Sequence, residues 1–236
     1  MRRTRSGFCL AVIFMIMVLG GSLRAADPLP VVPVKITGYI GFIHNDSDYL
    51  EMMVEITQGG VKMAGLDVRL NGQPAREISG SGYNYECRIA GVNPKAAPEV
   101  SLTVAKKSPL GSRSTPFITA KGKVTSLLLL TSPRDGGTIS PYERGVTVAY
   151  EGGMPPYRFG ISRVSDWVPV EIPGGCPPMG CFVPMSAFSP GSQYSFWLFA
   201  PVGTIAFTGP VHPTSSILLR QHLQNRITIS PLRRDG

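Results

Sequence analysis

An all-β fold, built as two tandem antiparallel sandwiches behind a short export segment, is predicted by three observations. Apolar residues recur at every second position through most of the chain, which is the period of a strand with one dry and one wet face. Glycine (27) and proline (22) are frequent between short apolar runs, as suits a fold with many turns. At 236 residues with 43% apolar content, the chain has material for one large or two ordinary packed cores.

Residues 1–26 form a unit of their own. Arg2, Arg3 and Arg5 precede an uncharged apolar run from Phe8 to Leu19, and Ala25-Ala26 follows Gly20-Gly21-Ser22, the layout of a cleaved signal peptide. The run is too short for the ~20 residues that cross a bilayer as a helix, so no transmembrane segment is expected after cleavage. This predicts an exported protein of the periplasm, cell surface or extracellular space. Arg2, Arg3, Arg5 and Arg24 also carry half of the net charge of +8. Arg220, Arg226, Arg233 and Arg234 at the other end carry most of the rest. The central segments are close to neutral, so the chain lacks the basic domain face that nucleic-acid binding needs.

The first sandwich is expected over 27–126. Leu50, Met52, Val54 and Ile56 alternate with Glu51, Met53, Glu55 and Thr57, and Leu66, Val68 and Leu70 lead into an Asn71-Gly72 turn. Tyr83, Tyr85, Cys87 and Ile89 then alternate with Asn84, Glu86 and Arg88, followed by Val100, Leu102 and Val104. Cys87 falls on a dry face and reads as a small buried hydrophobe. The run from Ala64 to Gly72, with the Tyr83 and Tyr85 strand after it, loosely resembles the transthyretin-like and carboxypeptidase-regulatory-like sandwiches.

A boundary is expected where Leu127–Leu130 gives way to Ser132-Pro133-Arg134-Asp135-Gly136-Gly137. The second sandwich, 127–212, follows with Val146, Val148 and Tyr150, then Tyr157, Phe159 and Ile161, then Tyr194, Phe196 and Leu198. Phe188-Ser189-Pro190-Gly191-Ser192-Gln193-Tyr194-Ser195-Phe196 resembles the corner of fibronectin type III and other bacterial immunoglobulin-like domains. That resemblance implies an immunoglobulin-like sandwich in which the Tyr194 hydroxyl bonds back to the chain near the turn. Residues 213–236 read as a basic tail: Thr214-Ser215-Ser216 is a cap for a short helix through Asn225, with a short strand at Ile227-Thr228-Ile229 as the alternative.

No catalytic residue is assigned, since the histidines (44, 212 and 222) are far apart and no nucleophile elbow or paired-carboxylate motif occurs. The chain is therefore read as non-enzymatic and cofactor-free. Asp46 and Asp48, in Asn45-Asp46-Ser47-Asp48, are weak candidates for a Ca²⁺ loop that lacks most of the six to eight oxygens needed. Cys176 and Cys181 enclose four residues and are expected to form a disulfide in an oxidising compartment. Two thiolates alone do not complete a zinc shell. Trp197 and Phe199 lie on the strand face opposite Tyr194, Phe196 and Leu198. With Trp167, placed on an earlier strand, they make a candidate binding surface for a glycan or a protein, the alternative being that this face is covered by the first sandwich or the tail. The expectation is an interaction or adhesion-type module binding a protein or polysaccharide in the cell envelope. Alternatives are a structural or accessory subunit docking by its tail or an edge strand, and a hydrolase whose site carries no motif.

Overall fold

A computed structural model describes residues 32–80, 82–96, 98–108, 115–172, 176–177 and 180–233. The export segment 1–26 lies outside the described residues. Every described element except the 3₁₀ turn Met185–Ala187 is a strand.

In chain order these are β1 (Val34–His44), β2 (Asp48–Gln58), β3 (Val61–Lys62), β4 (Leu66–Leu70), β5 (Gln73–Pro74), β6 (Arg76–Glu77), β7 (Tyr85–Ala90) and β8 (Glu99–Lys106). Then come β9 (Ile118–Val124), β10 (Leu129–Ser132), β11 (Gly137–Ile139), β12 (Gly145–Glu151), β13 (Arg158–Arg163), β14 (Gly180–Pro184), β15 (Gln193–Thr208) and β16 (Ser216–Ile229). The alternation predicted for β2 is seen: Leu50, Met52, Val54 and Ile56 are fully buried. The same holds for Val68 and Leu70 in β4, Leu102 and Val104 in β8, and Val146 and Val148 in β12. Asn71-Gly72 joins β4 to β5 with both residues at positive φ (47° and 79°), the two-residue turn whose twist matches flanking strands. Cys87 is a free, buried thiol. Tyr83 lies just before β7 rather than on it, and its ring meets Tyr39 edge-on at 6.1 Å. The intervening Asn84 is buried and clasps the Ile56 N–H, the Ile56 carbonyl and the Met63 carbonyl.

The main sheet runs β5-β4-β8-β9-β15-β16-β1-β2-β7-β6. Its two ends belong to one short stretch of chain: Gln73-Pro74 pairs with β4 and Arg76-Glu77 pairs with β7. The sheet thus curls back on itself around one apolar interior. A second sheet, β10-β12-β14, is tied to the inner face of β16, where Gln221 Oε1 accepts the Leu128 N–H (3.0 Å) and Asn225 Nδ2 donates to the Pro133 carbonyl (2.8 Å).

The hairpin β15–β16 connects these two groups of strands. The same edge of β15 pairs with β13 through Tyr194–Phe199 and with β9 through Gly203–Thr208. A register shift between Pro201 and Gly203 moves the inward positions from even to odd numbers, as an inserted bulge residue does. Strand β16 pairs in parallel with β1 through Ser216–Leu223 and with β11 through Ile227–Ile229.

The expectation of a helical tail from residue 214 is therefore corrected. Residues 216–229 form a central strand, with Ile217, Leu219, Gln221, Leu223, Asn225, Ile227 and Ile229 on its buried face. Leu219, Leu223 and Ile227, four residues apart, fit a helix face, but a strand between β15 and β1 satisfies its backbone on both edges, and this tertiary gain outweighs local propensity.

Candidate functional site

The candidate surface is the outward face of β13, β15, β16 and β1. Register fixes which side chains share it. Gly160 stands beside Trp197, which stands beside Gln224. In the next row Arg158 faces Phe199, then His222, then Ile43. In the row after that Pro201 faces Arg220, then Gly41, then Glu51. Tyr194, Phe196 and Leu198 point the other way and are buried, so the predicted division of β15 into two faces is observed.

Trp197 and Phe199 are half-buried. The indole packs against the neighbouring strand: a Cβ built on Gly160 would meet its ring carbon Cζ2 at 2.2 Å. Any side chain at 160 would push the ring away, so this glycine lets the indole rest against backbone. Trp167 is set apart from these two. It lies beyond β13 in a turn, at φ 58° and 58% exposed. Its N–H donates to the Arg163 carbonyl (2.8 Å), and the turn is held by an Arg163–Asp166 ion pair (2.7 Å). The reading that put Trp167 on a strand is corrected: the tight return that Arg163 and Asp166 clamp leaves it no ladder to join.

Arg220 occupies the middle of the face. Its guanidinium carbon sits 3.7 Å over the Tyr39 ring and 4.8 Å from the Phe199 ring, within the range where aromatic quadrupoles attract cations. Its Nε is buried with no hydrogen-bond partner among the described residues. Burial pulls the guanidinium below its ordinary pKa, and nearby Arg158 adds to that pull. The Tyr39 hydroxyl donates to Glu51 Oε2 (2.8 Å), and burial together with that carboxylate holds the phenol above its ordinary range. His222 meets Phe199 edge-on at 6.5 Å, and burial lowers its pKa, so it is neutral near pH 7. Beyond Glu51 in the same row, Arg88 sits over the Tyr49 ring at 3.5 Å.

The other sequence candidates have structural partners. Asp48 Oδ1 is 2.6 Å from His44 Nδ1, and its second oxygen accepts from Asn93 Nδ2 (3.1 Å). Asp46 pairs with Arg226 at 3.0 Å. Among the described residues no group of three or more His, Cys, Asp or Glu gathers as metal ligands do. Cys176 and Cys181 form the expected disulfide, with Cα atoms 5.1 Å apart. The Tyr194 hydroxyl accepts the Ser189 N–H at 2.7 Å, and Phe188 packs edge-on against the same ring at 4.9 Å. Arg220 and His222 were hidden from sequence reading because they fell in the presumed tail. Their alternation with Ile217, Leu219 and Leu223 was the signal, and Gln221 and Asn225 on the buried face obscured it.

No family model matches this chain, and no curated protein is similar to it. Among solved structures it is similar to the I9–I11 tandem from titin, at 11% identity and a TM-score of 0.21. The likeness covers 84% of this chain and 66% of that one, and its TM-score is too low to bear on fold or function.

Proposed function

We propose that this chain is an exported, non-catalytic interaction module that holds a protein or polysaccharide partner of the cell envelope on the outer face of β13, β15 and β16. One observation carries the reading: Trp197 and Phe199 stand two residues apart on that face, half-buried, with the indole packed against Gly160. Aromatic rings held this way offer broad contact at low entropic cost, against a sugar ring or an apolar side chain. The Cys176–Cys181 disulfide and the signal-peptide layout of 1–26 both support an oxidising, extracytoplasmic setting. Among the described residues no helix is long and apolar enough to cross a membrane. An immunoglobulin-like character for the second group of strands is supported by the Tyr194 hydroxyl bond to the Ser189 amide.

The test is capture of partners from envelope extract by the mature protein, beside Trp197→Ala and Phe199→Ala variants of checked folding. The expected result is loss of the captured partner in both. Equal capture by all three places the binding surface elsewhere. A second reading, an accessory subunit docking by strand addition, is favoured by β7: Arg76-Glu77 pairs only with Tyr85 and Glu86, so Cys87–Ala90 has β2 on one side and no ladder partner on the other among the described residues.

A further inference from the structure

We infer that this face takes an acidic polysaccharide, with Trp197 as the platform for a sugar ring and the Arg220–Arg158 pair receiving a carboxylate of a uronate unit. The inference rests on the reading of the aromatic face as a binding surface and adds the chemical class of what binds there.

The argument begins with how this chain treats its other arginines. Arg69 pairs with Asp67, Arg76 with Glu86, Arg163 with Asp166 and Arg226 with Asp46. Arg220 and Arg158 have no such carboxylate among the described residues, a lack they share with Arg88, Arg134, Arg144 and Arg233; Arg220 differs in that its Nε is buried without a partner and Arg158 stands close enough to disfavour its charge. Tyr39 and Phe199 cover the guanidinium of Arg220. Stacking of this kind holds the guanidinium in place; with Nε buried, its two Nη groups are the donors that can meet a carboxylate.

The one carboxylate in this row, Glu51, is two strands from Arg220, roughly 10 Å between backbones. It already accepts the Tyr39 hydroxyl at 2.8 Å. In this row Arg220 and Arg88 therefore outnumber it, and Arg158 stands in the adjoining row. His222, neutral near pH 7, adds no charge but can donate or accept toward a hydroxyl.

A polysaccharide fits better than an acidic peptide because of Trp197. Its six-membered ring packs against Gly160, where a Cβ would meet Cζ2, Cε2 and Cη2 within 2.9 Å, so an indole and not an aliphatic side chain fills this part of the face. Phe199 follows about 7 Å along the same strand, beside Arg158 and His222. A flat aromatic followed by cationic donors matches a ligand that alternates ring faces with carboxylates.

The experiment is calorimetric titration of the mature protein with oligogalacturonate, with the same oligomer as its methyl ester, with a neutral galactan oligomer and with poly-glutamate. The expected result is binding of oligogalacturonate that falls about ten- to hundredfold on esterification, the weight of a charge-assisted hydrogen bond. Arg158→Ala and Arg220→Met are expected to reproduce that loss, while Trp197→Ala weakens acid and ester forms alike. Arg158 is exposed, so its variant tests the idea even if Arg220→Met fails to fold. Equal binding of acid and ester overturns the carboxylate subsite but leaves the glycan face standing. Binding of poly-glutamate as tight as oligogalacturonate overturns the polysaccharide assignment in favour of an acidic protein. Absence of binding by every glycan, with capture from extract still dependent on Trp197, overturns the inference and keeps the interaction surface.

Discussion

Truncating Phe196 and Phe199, three residues apart on β15, measures whether the outer face is open. Phe196 is fully buried, with ring centroids 6.2 Å from Phe188 and 6.4 Å from Phe159. Phe196→Ala leaves a cavity in that cluster and is expected to cost about 3–5 kcal/mol. For a chain of this size each kcal/mol lowers Tm by roughly 2–4 °C, so a drop of roughly 6–20 °C should follow. Phe199 is half-buried and touches Arg220 and His222 across open surface. Its truncation removes part of a hydrophobic contact and one cation–π contact, about 1–2 kcal/mol together, or roughly 2–8 °C. The assay is urea unfolding followed by circular dichroism, with thermal melts as a check, and unchanged m-values would show that the unfolded states are comparable. If Phe199→Ala costs as much as Phe196→Ala, the outer face is covered in solution and the argument for a binding surface fails. If Phe196→Ala costs under about 1 kcal/mol, the assignment of faces on β15 is wrong.

Deleting residues 214–236 should abolish folding rather than trim a tail. Ile217, Leu219, Leu223, Ile227 and Ile229 are buried, worth about 8–15 kcal/mol together against the 5–15 kcal/mol of a typical domain; a truncated chain with a cooperative melt would contradict this. Gly38→Ala is expected to destabilise by at least about 1–3 kcal/mol, because φ is 136° and a Cβ would lie 2.1 Å from the Met53 carbonyl oxygen between β1 and β2; a neutral melt would show that the strands do not meet there. His222 gives the protein an acid-sensitive term. Its folded pKa lies below the ordinary 6.5, chiefly through burial and further through Arg220, with Glu51 opposing. The unfolded chain thus binds the proton more readily, and stability falls as pH drops below about 6.5. His222→Gln should flatten the stability difference between pH near 7.5 and near 5, measured by urea unfolding, and an unchanged slope would refute the assignment.

Much of the fold was legible because one-sided burial writes itself into the sequence. Leu50, Met52, Val54 and Ile56 point inward for the reason that their neighbours Glu51, Met53 and Glu55 point outward, and Asn71-Gly72 marks its turn because few other pairs tolerate two positive φ angles. The Tyr194 corner came from the resemblance to fibronectin type III domains, and the Cys176–Cys181 pairing from their close spacing in a chain read as exported; the logic of alternation separated Trp197 and Phe199 from the core face. It failed at β16. Gln221 and Asn225 are buried there because each bonds a backbone group of the connection to the second sheet, and polar residues on a dry face read locally as the end of a strand pattern. It failed again at Trp167, whose position depends on an Arg163–Asp166 pair closing a turn.

The sequence by itself determined many of the strands and turns and which of their side chains face inward, such as β2, β4, β8 and β12 and the Asn71-Gly72 turn, since these follow from a period of two and from the conformational limits of single residues. Only the tertiary structure decided that residues 216–229 run between β15 and β1, and hence that Arg220 and His222 stand beside Phe199 and Tyr39. Strand order is set by contacts between segments up to about 180 residues apart, such as the Ile36 N–H to Ser215 Oγ bond (3.0 Å, separation 179). Local preference carries no record of those contacts, and the candidate site is built from them.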